Sequence, residues 1–141
     1  MKSSFLFPLS PIGVGSDRVE SFTSFLIRLA GLHAVSLGRL IHLVCDRAFP
    51  AEPLRAKRAL ACRIGTFIRP NHTTADLVAA VALGLDTSAR VLRRTTFLAL
   101  MPALARPQSA FSLLPKWCPQ CLSDAEADGT PPYFKLLWQL S

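Results

Sequence analysis

The stretch TTADLVAAVALGLDTSARVLRRTTFL, residues 73–98, decides the fold class that the sequence predicts. Its first half is mostly apolar and follows two threonines, so Thr73 or Thr74 can cap a helix that runs through Leu83. Gly84 is the predicted stop of that helix, because glycine readily takes the backbone conformation that ends helices. The stretch therefore begins with one helix and a glycine turn.

The second half of the same stretch predicts another helix. Asp86 or Thr87 can start it, and it extends over 88–98 with one apolar face. The residues that we expect to face inward are Val91, Leu92, Thr95 and Leu98. A helix, a glycine turn and a second helix form the pattern of a helix-turn-helix. Two short helices joined at a glycine are also common as plain packing units, so spacing alone leaves both interpretations open.

Three arginines, Arg90, Arg93 and Arg94, lie on this second predicted helix. No acidic residue occurs between Asp86 and Asp124. If the helix pair is a DNA-binding helix-turn-helix, these are the side chains that reach phosphates or base edges.

Two further helices are predicted upstream, and they form a helical hairpin. The first has its start signal at Asp17, with Glu20 three residues later at the spacing of a capping box, and it ends near Leu32. Its apolar stripe consists of Val19, Phe22, Leu26 and Leu29. Ser36 can cap the second helix, which covers 37–47. Its apolar stripe consists of Leu40, Ile41, Val44 and Ala48.

A second basic run lies between the two helix pairs, and its part 54–67 is a candidate helix. The basic residues here are Arg55, Lys57, Arg58, Arg63 and Arg69, and no acidic residue occurs between Pro53 and Ala75. Such a run is typical of a solvated helix face or of a strip that faces phosphates. Under the second interpretation, Arg55, Lys57, Arg58 and Arg63 belong to the DNA-binding surface.

The last part of the chain changes in character. We predict a helical region over 1–100, a proline-rich connector over 101–116 and a partial zinc-ribbon segment over 117–141. The final segment opens with a CxxC motif, Cys118-Pro119-Gln120-Cys121, and continues with an acidic loop over 124–129. It ends in an aromatic-rich run that predicts a short strand or a short helix.

Cys118 and Cys121 are the candidate metal ligands, because two thiolates at this spacing converge on one point in a tight turn. A structural zinc takes four ligands, so the motif supplies half of a site. The other candidate ligands are Cys45, Cys62, His33, His42 and His72. His42 and Cys45 have an H-x-x-C spacing, although a core histidine and a buried free cysteine are the commoner explanation on an apolar helix.

The motif also has a superficial likeness to a thioredoxin-type dithiol, in which a helix N-terminus lowers the pKa of the first thiol. That fold places its CxxC after a first strand with a βαβ scaffold behind it, whereas this motif follows a helical region. No GxGxxG, GxxxxGK[ST] or GxSxG motif occurs in the chain. We therefore expect a non-catalytic protein, with a dithiol oxidoreductase as the remote alternative.

Composition points to a polyanionic partner. The 141 residues include 16 Lys and Arg against 9 Asp and Glu, a formal charge of +7, which favours DNA or RNA before an anionic membrane. The longest apolar run, 77–85, is far short of the roughly 20 residues that span a bilayer. The proline-interrupted N-terminus lacks a signal-peptide pattern. We expect a cytoplasmic protein with reduced cysteines and no membrane partner.

Three phrases of the sequence together resemble the TniQ family. The run ESFTSFLIRLA at 20–30 resembles the family's start, and 77–97 is similar to its helix pair, ending in LRRTTF. The run CPQCL at 118–122, followed by Phe134 and by LWQL at 137–140, resembles the family's C-P-x-C-L segment with its later tryptophan. The three phrases occur in the family's order, and the last weighs most.

The resemblance implies a helical region with a helix-turn-helix-like pair that leads into a zinc-ribbon module. It implies a role in selecting the target of DNA transposition, without strand chemistry. The implied partners are DNA, an AAA+ transposition regulator and a transposase, and in some systems an RNA-guided CRISPR effector. The resemblance also assigns zinc-ligand roles to Cys118 and Cys121.

In the family, a C-x-x-H pair follows the tryptophan phrase and completes the zinc site, whereas this sequence ends at Ser141. We therefore expect weak zinc binding by the CxxC pair alone, because half of the ligands are missing. A homodimer that pairs two CxxC motifs is a second source of ligands. The alternative function is that of a helical protein–protein adaptor whose basic face is only a solvated surface.

Overall fold

The computed structural model describes residues 4–51, 72–99 and 116–139. These residues contain five α-helices and no strand: α1 Phe22–Leu32, α2 Leu37–Ala48, α3 His72–Leu85, α4 Ala89–Arg93 and α5 Pro119–Ala127. A 3-10 helix covers Leu136–Gln139, and an isolated antiparallel bridge pairs Glu20 with Lys135. The mainly α fold class is therefore confirmed. No single helix among the described ranges is long and apolar enough to cross a membrane.

Several expectations concern residues that fall in the gaps between these ranges. The candidate helix over 54–67 and its basic side chains Arg55, Lys57, Arg58 and Arg63 lie outside the described residues, as does Cys62. The same holds for almost all of the connector over 101–116. The division into a helical region, a connector and a zinc-ribbon segment stays a prediction.

Helix α1 begins later than predicted. Its N-cap is Ser21, whose Oγ accepts a hydrogen bond from the backbone N–H of Ser24 at 3.2 Å, so the predicted cap at Asp17 is wrong. The reason lies in Glu20, which is extended: its N–H donates to the carbonyl of Ile12 at 2.9 Å, and it forms the bridge to Lys135. A helix cannot start before a residue that is paired in this way.

Helix α2 begins as predicted, with Ser36 as its N-cap accepting from the N–H of Arg39 at 3.2 Å. The turn between α1 and α2 bends the chain by 93°. Three members of the predicted stripe of α2 are buried, and the fourth, Ala48, is half-buried. The buried members are Leu40, Ile41 and Val44.

The main core lies between α1, α2, α3 and α4. Its largest fully buried apolar side chains are Phe22, Phe25, Leu26, Leu29, Leu40, Ile41, Leu77 and Leu92. Leu6 of the N-terminal segment is buried in the same cluster. A smaller cluster of Val19, Phe97 and Leu136, with Val14 packed against it, joins three distant parts of the chain. This cluster holds the chain directly after α4 against the N-terminal segment.

Helices α1 and α3 are each followed by a residue other than glycine in the left-handed conformation. Ala34 after α1 has φ 52°, and Asp86 after α3 has φ 53°. At α3, the N–H of Thr87 donates to the carbonyl of Ala82 at 3.0 Å, which is the long bond of a Schellman motif. The predicted stop at Gly84 is therefore wrong, because the helix continues to Leu85. The predicted caps Thr73 and Thr74 are also wrong, since α3 already begins at His72.

Gly84 has a packing role instead. Its carbonyl accepts hydrogen bonds from the N–H groups of Phe5 and Leu6, both at 3.1 Å. A Cβ at this position would lie 2.7 Å from Leu6 Cδ1 and 2.9 Å from Phe5 Cζ. Glycine leaves room for the N-terminal segment here, because the Phe5 and Leu6 side chains would have to shift to accommodate a Cβ.

We expect Gly84→Ala to lower the free energy of unfolding by about 1–2 kcal/mol, since overpacking of about 1–3 kcal/mol outweighs the gain in helix propensity of up to about 1 kcal/mol. Gly38→Ala is the matched control, because no atom lies within 4 Å of the new Cβ in α2. That variant should be stabilised by about 0.5–1 kcal/mol. Chemical denaturation measures both. Equal stabilisation of the two variants would contradict the close packing at Gly84.

The second helix of the predicted pair is shorter than expected, since α4 ends at Arg93 rather than near Leu98. Thr95 and Thr96 end it, because each hydroxyl donates to the carbonyl three residues earlier, at 2.6 and 2.7 Å. Leu92, Thr95 and Leu98 are buried as predicted. Val91 was predicted to face inward, but it is 38% exposed, so that expectation is wrong.

The acidic segment after the CxxC motif is helical rather than a loop. Helix α5 covers Pro119–Ala127, and Gly129, at φ 71°, follows its end. The N–H of Thr130 donates to the carbonyl of Ala125 at 2.8 Å and closes the helix. The aromatic-rich run that follows contributes one bridge residue, Lys135, and the 3-10 helix.

Candidate nucleic-acid interface

Helix α4 presents its three arginines on the surface. Ser88 caps the helix, its Oγ accepting from the N–H of Arg90 at 3.3 Å, and the fully buried Leu92 fixes its rotation. Arg90, Arg93 and Arg94 are exposed. Because they are spaced i, i+3 and i+4, they lie on one side of the turn. The structure therefore brings together the three cations that the sequence predicted.

These arginines line an open surface groove of about 500 Å³. Gly15, Ser16 and Val19 of the N-terminal segment also line it. Among the described residues, no acidic side chain lines the groove. In the described ranges no ion pair involves Arg90, Arg93 or Arg94. The groove concentrates positive charge without internal compensation.

The loop that contains Gly15 and Ser16 is held by its own hydrogen bonds. The N–H and the Oγ of Ser16 both donate to the carbonyl of Gly13, at 3.1 and 2.8 Å. The Ser16 Oγ also accepts from the N–H of Arg18 at 3.1 Å. Gly13 has φ 66°, and a Cβ there would lie 2.6 Å from the Arg18 carbonyl oxygen. This loop is not among the predicted site residues, although its two glycines mark a tight turn.

A buried carboxylate positions the loop. The Glu20 side chain is fully buried, and its Oε2 accepts from the N–H of Ile12 at 3.1 Å and from Arg28 Nη1 at 2.6 Å. Its Oε1 accepts from the Ser24 hydroxyl at 3.0 Å. Burial raises the pKa of Glu20 above its ordinary value, and the Arg28 charge offsets part of that increase. The glutamate predicted as a capping-box residue is thus the anchor of the groove loop.

Hydrogen bonds join the residues around Glu20 to the chain after α4 and to the C-terminal segment. The N–H of Phe22 donates to the Thr95 carbonyl at 2.8 Å, which fixes the chain directly after α4. The N–H of Ser21 donates to the Phe134 carbonyl at 2.7 Å, and the N–H of Phe134 donates to the Ser24 hydroxyl at 2.9 Å. The ESFTS segment therefore connects the groove with the C-terminal segment. The motif is recognisable in the sequence, but its pattern does not predict these contacts, because they join residues far apart along the chain.

The CxxC motif lies at the N-terminus of α5. Cys118 is the N-cap, and its Sγ accepts from the N–H of Cys121 at 3.4 Å. This hydrogen bond lowers the pKa of the Cys118 thiol, whereas the hydrogen bond between the two thiols raises the pKa of Cys121. Both thiols are partly exposed and free. The pair can present two sulfur ligands to one point.

The described residues do not complete a metal site around this pair. They contain no group of three or more His, Cys, Asp or Glu side chains that could hold a metal ion. His33 Nε2 accepts from the N–H of Phe7 at 3.0 Å, and Cys45 is buried in the core of α2. Zinc binding by Cys118 and Cys121 stays a prediction that needs further ligands. The dithiol alternative needs a sheet scaffold, and the described ranges contain no strand.

The fold and the site define a mainly helical protein with a basic groove and a C-terminal CxxC helix. Residues 11–141 match the family model TniQ, so the chain belongs to the TniQ family. A comparison with curated proteins found no significant match. Family membership is consistent with a non-catalytic protein associated with transposition.

Proposed function

We propose that this protein binds duplex DNA through the groove lined by Arg90, Arg93 and Arg94 and thereby helps to select the target site in transposition. The observation that carries the proposal is the group of three exposed cations in a groove whose described lining residues include no acidic side chain. Phosphate contacts supply most of the affinity of proteins for DNA, and arginine is well suited to them. The chain's net charge of +7 supports association with a polyanion.

In this role the protein acts as a recruiter rather than as an enzyme. Its proposed partners are the AAA+ regulator and the transposase of the transposition machinery, in addition to DNA. An RNA-guided CRISPR effector is the proposed partner where the target is chosen by a guide. The basic residues Arg55, Lys57, Arg58 and Arg63 are proposed to extend the DNA contact, and their neighbourhood 54–75 is free of acidic residues.

The double variant Arg93→Ala/Arg94→Ala should weaken duplex binding by about tenfold or more at low salt, because two of the phosphate contacts are lost. Fluorescence anisotropy with a labelled duplex measures the dissociation constant. Arg39→Glu is the control, since it changes the net charge by the same two units at an exposed position on α2. It should change the affinity by less than about threefold.

The two candidate functions give different results in this experiment. A helical adaptor without DNA binding shows no change in anisotropy with the wild-type chain, even at low salt. Equal losses in the groove variant and in Arg39→Glu would assign the binding to net charge instead of to the groove. Circular dichroism of each variant establishes that the helices are intact.

A further inference from the structure

We propose that a pocket beside α5 binds a small group that carries a carboxylate and, on the same molecule, an ammonium or guanidinium. The pocket is lined by α5, by the segment that follows it and by Arg18, and its volume is about 490 Å³. Ligand sites usually measure about 300–1,000 Å³. None of its lining residues lines the arginine groove. The pocket is therefore distinct from the proposed DNA site, and its ligand does not depend on DNA binding.

A buried tyrosine is the first observation. Tyr133 is only 9% exposed, it lines the pocket, and its hydroxyl makes no hydrogen bond with the described residues. Burial raises the pKa of Tyr133, and the Arg18 charge offsets part of that increase, so the guanidinium is near enough to act on this hydroxyl. Buried polar groups nearly always have a hydrogen-bond partner. The Tyr133 hydroxyl is therefore available to a ligand.

The charges on the lining are the second observation. Arg18 and Lys135 contribute cations to it. Asp124 and Asp128 contribute carboxylates at the C-terminal end of α5, which is also the negative end of the helix dipole. In the described ranges no ion pair joins Arg18 to either aspartate. Opposite charges thus line one pocket at separate places.

These features define the ligand by its charges. A carboxylate can accept hydrogen bonds from the Arg18 guanidinium and the Tyr133 hydroxyl. An ammonium or guanidinium on the same ligand suits Asp124 and Asp128. A polyanion such as DNA would bring phosphates to the two aspartates, and a polycation would bring its charge to Arg18 and Lys135, so both meet repulsion. Free lysine or arginine has the required chemistry, and so has the C-terminal lysine or arginine of a partner protein.

The probe that tests the pocket is ε-aminocaproate, which has a carboxylate and an ammonium at the two ends of one short chain. In an NMR titration of the isotope-labelled full chain, it should shift the backbone amide resonances of Ala125, Thr130 and Tyr133. Caproate and hexylamine each carry one of the two charges and should bind about threefold or more weakly. Absence of these shifts, or equal binding of caproate and ε-aminocaproate, would overturn the proposal.

Tyr133→Phe tests the buried hydroxyl. The variant should bind ε-aminocaproate about tenfold more weakly, because a hydrogen bond to a charged group is lost. Its stability should not fall, since the hydroxyl has no partner in the described protein. Unchanged affinity for ε-aminocaproate would show that the carboxylate does not reach Tyr133 and would overturn the proposed mode of binding.

Asp128→Asn tests the other end of the ligand. Asp128 is chosen because Asp124 also accepts a hydrogen bond from Gln120 Nε2 at 2.8 Å. The variant should bind ε-aminocaproate about threefold more weakly and caproate no more weakly than the wild type does. Glu126→Gln is the matched control, since Glu126 is exposed on α5 but does not line the pocket. Equal losses in the two variants would assign the effect to the overall charge of α5 and overturn the assignment to the pocket.

Two further probes distinguish the sources of the ligand. Nα-acetyl-lysine has the charges of a C-terminal lysine residue, whereas free lysine has an additional α-ammonium next to its carboxylate. Tighter binding of Nα-acetyl-lysine would assign the pocket to the end of a partner protein, and tighter binding of free lysine would assign it to a free amino acid. Failure of both to shift the pocket resonances would overturn the proposal and leave the proposed DNA site untouched.

Discussion

Arg28→Met is expected to lower the free energy of unfolding by about 3 kcal/mol at neutral pH, the lower end of the range for breaking a buried ion pair. The variant leaves the fully buried Glu20 carboxylate without its cationic partner. The lower end applies because the Arg28 side chain is 18% exposed, so water screens part of the interaction. Urea denaturation measures the effect. Arg39→Met is the control, because Arg39 is exposed and its side chain makes no ion pair in the described ranges.

The loss in Arg28→Met should depend on pH. Burial holds the pKa of Glu20 above its value in the unfolded chain, so the folded state binds more protons between these two values. Stability therefore falls as pH rises through that interval. Removing Arg28 raises the pKa of Glu20 in the folded state further, and this widens the interval between its folded and unfolded pKa values. The difference between variant and wild type should be smaller at about pH 5 than at about pH 7.

A second substitution separates the charge from the packing. Gln at position 20 carries no charge but retains an oxygen that can accept from the N–H of Ile12. The double variant Glu20→Gln/Arg28→Met should recover part of the stability lost in Arg28→Met. Two results together would show that Arg28 does not compensate the Glu20 charge. The double variant would be less stable than Arg28→Met, and the stability that Arg28→Met loses relative to the wild type would not depend on pH.

Leu92→Ala is expected to lower the free energy of unfolding by about 2–5 kcal/mol, the usual cost of removing a fully buried leucine side chain. Leu92 is 0% exposed and joins α4 to the main core. Val91→Ala is the matched control on the neighbouring residue, which is 38% exposed. That change should cost less than about 0.5 kcal/mol. Denaturation measures both variants. If Val91→Ala were more destabilising than Leu92→Ala, that result would contradict the orientation in which α4 buries Leu92 and exposes Val91.

Local capping and apolar patterning predicted much of the helical fold. Ser36 caps α2 as expected, and Leu40, Ile41 and Val44 are buried along one stripe. These features depend on neighbouring residues, so the sequence contains them directly. The three groove arginines were found in the same way, from their spacing on one short helix.

The expectations that failed depend on contacts far along the chain. Asp17 does not cap α1, because Glu20 pairs with Ile12 and Lys135. Gly84 does not end α3, because Phe5 and Leu6 pack on it. The contribution of Gly15 and Ser16 to the groove was missed for the same reason, since only tertiary packing brings this loop next to α4. Periodicity within one segment carries no signal of these contacts.

The salt dependence of duplex binding by the wild-type chain tests the central claim most directly. If three groove arginines contact phosphates, they alone should contribute a fall in affinity of about 40-fold between 50 and 200 mM salt, from a slope of about −0.9 per contact. The Arg93→Ala/Arg94→Ala variant should have a salt dependence smaller than that of the wild type by about 12-fold over the same interval, because two contacts are lost. Absence of duplex binding by the wild-type chain at low salt, or the same slope in both proteins, would contradict the groove as the DNA-binding site.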